Sequence, residues 1–170
     1  VAAAHEGSVI EAEDLVVINT RPQALDNGTG RGINIEGGAH LTLNRGFVDG
    51  NRAAGLIVLH SGTKVDATDI VIQNTDSQMN TSMFGRGLDV EHGAQCSIKR
   101  AFIDNNTNIG VAALHRNTDL NLEDVVIQNT RIQERDFMGG MGLTAQEGAK
   151  VVVNRATLSR NRTVGIMAVS

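Results

Sequence analysis

The sequence predicts an all-β fold: a parallel β-helix, a solenoid of about six coils. Three observations predict it. The chain repeats itself in a frame of 55 residues. Apolar and polar residues alternate over short runs, as at Ile33/Ile35, Leu41/Leu43 and Leu120/Leu122, and no stretch keeps a 3.6-residue period. Glycine occurs 19 times and proline once, and the glycines and asparagines recur at fixed places, where a solenoid turns its corners.

The repeat is direct. Gly32–Thr75 and Gly87–Thr130 share 18 of 44 residues without a gap. Residues 32–86 and 87–141 are full units, 142–170 a third, and 1–31 a partial one. Each full unit divides into a coil of 23 residues and one of 32. A coil of 23 residues holds three short strands, each stacked about 4.8 Å from its equivalent in the next coil. Asn19, Asn51, Asn74, Asn106, Asn129 and Asn161 occur once per coil and are expected to form one structural ladder. Asn tolerates the left-handed backbone of a sharp corner and bonds through its amide to neighbouring coils. Three residues before each Asn stands an aliphatic: Val16, Val48, Val71, Ile103, Val126 and Leu158.

The strand starts (Gly32, Gly87, Gly142), the Gly-Ala corners (Gly38-Ala39, Gly93-Ala94, Gly148-Ala149) and the Asn series resemble the right-handed parallel β-helix repeat proteins. This is the pectate-lyase-like superfold, found also in bacterial surface and secreted proteins. The resemblance covers the whole chain, which reads as a single domain, 1–170. It implies the right hand, as does the rule for parallel crossovers, and it implies a place outside the cell or on its surface. It does not fix an activity, because the superfold hosts lyases, hydrolases and adhesins. Val1 and Ser170 both fall within a coil, so the chain is expected to be a segment of a longer protein or to associate end to end.

Composition narrows the function. A net charge of −4 with only 15 Lys and Arg argues against a nucleic-acid partner. No run approaches the ~18 apolar residues of a spanning helix, so membrane insertion is not expected. The lone Cys96 occupies an in-pointing place and reads as a small apolar core residue.

Three loops, 21–31, 76–86 and 131–141, recur at the same place in alternate coils. They carry the candidate binding residues Leu25, Asp26, Asn27, Met79, Met83, Phe84, Arg86, Phe137 and Met138. The outward strand positions Ile57/Leu59, Ala112/Leu114 and Met167/Val169 are apolar, so each loop is expected to fold back over a neighbouring coil. Loops on a rigid scaffold also suit recognition of a polysaccharide or a surface protein. The leading expectation is therefore a non-catalytic scaffold that presents loops.

The alternatives are a polysaccharide lyase or glycoside hydrolase and a fibre-forming solenoid. For catalysis the candidates are Glu36, Asp89 and Glu91, read as an exposed acidic face. None is favoured: the pattern is periodic, Tyr and Trp are absent, and no Arg or Lys is expected on that face. No cofactor is implied. No metal is expected either. His5, His60 and His115 share a column at roughly 9.6 Å spacing, against the ~4 Å between two ligands of one ion. His40 and His92 are placed outside that column. Finally, Arg45, Arg100 and Arg155 alternate along one corner with Glu13-Asp14, Thr68-Asp69 and Glu123-Asp124, as a charge ladder that sets register.

Overall fold

The computed structural model describes all 170 residues. Thirteen strands form two parallel sheets, and there is no helix. The first sheet holds β1 (Ala2–Ala4), β3 (Ile33–Glu36), β5 (Ala54–Leu59), β7 (Arg86–Glu91), β9 (Ile109–Leu114), β11 (Met141–Gln146) and β13 (Val164–Val169). The second holds β2 (Val9–Ile18), β4 (His40–Asp49), β6 (Lys64–Gln73), β8 (Gln95–Asp104), β10 (Asp119–Gln128) and β12 (Lys150–Ser159). The chain alternates between the sheets, and each strand pairs with the next but one, so the architecture is that of a parallel β-solenoid.

Three strands per coil were expected, and two are found. The second and third merge into one ten-residue strand with a bend in its middle. The bend falls at Asp14, Arg45, Asp69, Arg100, Asp124 and Arg155, all left-handed with φ between 53° and 59°. Strand pairing lapses at these residues. Two successive side chains, such as Asn44 and Arg45, then point outward, and Gly46 and Val48 resume the inward face. The charge ladder therefore lies on the bend itself. Each Arg pairs with the acid one layer earlier: Arg45 with Asp14 and Glu13, Arg100 with Asp69, and Arg155 with Asp124 and Glu123.

The inward columns fill the space between the sheets. Ile33, Leu56, Leu88, Val111 and Leu143 stack on one side, and Leu41, Val65, Cys96 and Leu120 on the other, all nearly inaccessible. Burial pushes the Cys96 thiol far up, which suits a core residue rather than a nucleophile.

The six asparagines do not form one column. The second sheet pairs Ile18 with Asp49 and Asp49 with Gln73, which sets Asn19 beside Gly50 and Asn51 beside Thr20. The cause is one extra residue, Ser8, Thr63 or Thr118, in the turn before the longer units' second strand. The hydroxyl of Thr63 donates to Leu59 O and accepts from Gly38 N, and Thr118 repeats both bonds. A slip of one residue exchanges the faces of a strand. So Asn51, Asn106 and Asn161 point inward, while Asn19, Asn74 and Asn129 take the left-handed corner at φ 54°. Each inward Asn accepts from the backbone N–H of Thr20, Thr75 or Thr130 and donates to the carbonyl of Val17, Ile72 or Ile127. Among the preceding aliphatics, Val48 and Ile103 are core, but Val16 lies outside and is exposed.

Candidate functional site

The three loops share one backbone path. In each, the N–H of Gln23, Gln78 or Gln133 donates to the carbonyl of Gly28, Met83 or Met138. The N–H of Asn27, Ser82 or Phe137 returns to the same Gln carbonyl. Those three closing residues are all left-handed, at φ 54°, 52° and 59°. The loops are also tied down. Arg52 Nη1 donates to Ser77 O, Phe84 N to Gln133 Oε1, and Arg131 pairs with Asp76 at 2.8 Å. A common frame thus carries different side chains. Leu25, Phe137, Met138 and Met79 are 96%, 74%, 64% and 55% exposed. Asp26 and Asn27 are also exposed, and Met83 is half-buried.

Beside this frame, the outer face of the first sheet is covered. Ile57, Leu59, Ala112 and Leu114 are buried although they point away from the main core, whereas Val169 of the third pair is exposed and Met167 only half-buried, contrary to expectation. A cleft of about 290 Å³ lies there, lined by Ile57, Leu59, Asp89 and Glu91 from the sheet and by Gln78, Phe84 and Arg86 from the loop. A wider hollow of about 500 Å³ lies by Asp76, Met79, Arg131 and Glu134 of the two later loops.

The acidic face is not the solvated surface that periodicity suggested. Asp89 is buried, and Arg86 is on that face, contrary to expectation. Arg86 Nη1 donates to both oxygens of Asp89 at 2.8 and 2.9 Å and to Glu91 Oε1 at 2.5 Å. Its Nε is buried without a partner. Burial, with the Glu91 charge adding to it, lifts the Asp89 carboxyl to about 7 despite the opposing Arg86. Burial also works against the Arg86 charge, but the two carboxylates outweigh it and raise the guanidinium. Glu36 stands two strands away and does not line the cleft.

The trio occurs once. In the equivalent slots, Arg31 donates to Asn34 in one unit, and Met141 precedes Thr144 in another, where the Thr144 hydroxyl is buried and unpartnered. Among these equivalent slots of the first sheet, only residues 86–91 place a cation over two acids, and this local break in the repeat marks the slot as the candidate site. Arg86, Asp89 and Glu91 come together here; Leu25, Asp26 and Asn27 belong to the first loop.

His92 lies within the histidine column, contrary to expectation. Leu59, Glu91 and Leu114 are in register, so His60, His92 and His115 occupy successive layers of one corner. The His92 and His115 rings stack with centroids 3.8 Å apart, and His60 stacks on His92 at 5.9 Å. Ring nitrogens of His92 and His115 and a carboxylate oxygen of Glu91 all lie within 4.8 Å of one another. The signal was present: each of these histidines follows its strand's Gly55, Gly87 or Gly110 by five residues.

No protein-family model, curated protein or solved structure matches this chain. The structure itself shows a parallel β-solenoid.

Proposed function

We propose that the chain is a non-catalytic scaffold of the extracellular space or cell surface, and that its three loops bind a protein partner. In this reading the solenoid is a right-handed, pectate-lyase-like β-helix of about six coils. One observation carries the proposal: three loops of the same backbone path, the two later ones bonded to each other, hold Leu25, Met79, Phe137 and Met138 out in solvent. Met and Phe are enriched in protein interfaces, and Met adapts its shape to a partner. A prefixed loop also loses little freedom on binding. The same residues give a poor sugar platform, without Tyr or Trp.

The test pairs two baits. The wild-type chain and a variant with Leu25→Ser, Met79→Ser, Phe137→Ser and Met138→Ser are immobilised over the extracellular fraction of the source culture, and each is also applied to a glycan array. A protein retained by the wild type and lost by the variant is the expected result. Equal retention by both baits, or glycan binding that survives the four substitutions, overturns it.

A polysaccharide lyase or hydrolase is the second reading, favoured by the Asp89–Glu91 pair in a cleft with Arg86. Its weakness is that both acids are already held by one guanidinium. Release of sugar products by the wild type, abolished by Glu91→Gln, would establish it in place of the first.

A further inference from the structure

We propose that Glu91, His92 and His115 bind a divalent first-row transition metal ion, of which Zn²⁺ is the representative. The proposal is independent of the loop surface and rests on four observations at one corner.

The ligand set suits such an ion. Two imidazoles and one carboxylate favour zinc, copper or nickel over calcium or magnesium, which prefer oxygen alone. The spacing suits it too. Two ligands on one zinc lie within about 4 Å of each other, and these three donors stand within 4.8 Å. Binding would draw the donors together by side-chain rotation, with the stacked His92 and His115 rings turning out of their parallel arrangement. Both histidines sit on left-handed backbone, φ 57° and 72°, directly after the paired strands β7 and β9. The backbone therefore fixes them one layer apart.

The carboxylate is also oriented. Arg86 holds Glu91 Oε1 at 2.5 Å, which leaves Oε2 toward His92 Nε2 at 3.5 Å. A fixed second partner on a ligating carboxylate is the usual support of a metal site. Finally, His115 Nδ1 is buried without a hydrogen-bond partner, and His115 Nε2 stands 3.3 Å from Glu147 Oε2. Glu147 occupies the next layer of the same corner and holds His115 from that side, outside the three donors that lie within 4.8 Å of one another. The other histidines do not form such a set: Gly37 separates His5 from His60, and His40 lies on the second sheet.

Calorimetric titration of the metal-free chain with Zn²⁺, Ni²⁺ and Cu²⁺ tests the site. One equivalent of Zn²⁺ should bind. His92→Asn and His115→Asn keep a residue that tolerates left-handed backbone, so circular dichroism should confirm their fold. Each should lose at least the ~10–100-fold in affinity that removal of a supporting partner costs. Glu91→Gln should weaken binding, and His40→Asn should leave it unchanged. No binding of any of the three ions in the micromolar range overturns the proposal. So does tight binding that the His92 and His115 substitutions leave intact.

Discussion

The molecule contains the same ionic trio in two settings. At the bend of the second sheet, Arg45 pairs with Glu13 and Asp14, and Arg155 with Glu123 and Asp124, with side chains 37–68% exposed. Under the 76–86 loop, Arg86 pairs with Asp89 and Glu91, and the exposures are 12%, 7% and 16%. Chemistry and distances are nearly equal; surroundings are not. On the surface, Arg hydrogen bonds draw Asp14, Asp69, Asp124 and Glu123 below their ordinary range. Under the loop, burial drives Asp89 the other way. The surface trios are spread along the solenoid and help fix its register. The buried one occurs once, beside a cleft, and that solitude rather than its charges marks it as a site.

Breaking the buried trio should have the largest effect. Arg86→Met leaves Asp89 and Glu91 without their cation in a covered place and should cost about 3–5 kcal/mol in chemical denaturation above pH 7, where their charge is otherwise paired. Removing all three charges should reverse that loss. Positions 89 and 91 lie between Ile57 and Ala112 and between Leu59 and Leu114. Arg86→Met with Asp89→Leu and Glu91→Leu should therefore recover stability to within about 1 kcal/mol of wild type, or exceed it.

The pH dependence should separate the two settings by sign. Asp89 has a folded pKa above its ordinary 3.8. Its contribution is fully present below that value and is lost as pH rises toward 7. In metal-free buffer with chelator, wild type should lose stability from pH 4 to 7 relative to Asp89→Asn. The surface acids have folded values below ordinary, so their contribution is present above about pH 4 and is lost as pH falls further. Thermal melts across pH 2–8 read both slopes. The smallest effect is salt. The deficit of an Arg45→Gln, Arg100→Gln, Arg155→Gln variant should shrink toward ~1 M NaCl, where the Debye length is ~3 Å. The Arg86→Met deficit should persist.

The solenoid was legible because its core is periodic: Ile33/Ile35, Leu41/Leu43 and Leu120/Leu122 all point inward and are buried. The surface ladder was legible for the same reason. The slip between the asparagines was hidden, because it arises from one residue, Thr63 or Thr118, whose place in a turn no alternation reveals. The site was hidden for a different cause. Asp89 and Glu91 alternate like surface residues, and only the return of the 76–86 loop covers them. His92 could have been found by counting five residues from Gly87, as His60 is from Gly55.

Double-mutant cycles measure the difference between the settings most directly. One cycle couples Arg86→Met with Glu91→Leu, and the other Arg100→Met with Asp69→Leu, both read by chemical denaturation. A coupling under the loop several times that at the bend, where it should be near experimental error, is the expected result. Equal couplings would contradict the claim that the loop's cover makes residues 86–91 a distinct site.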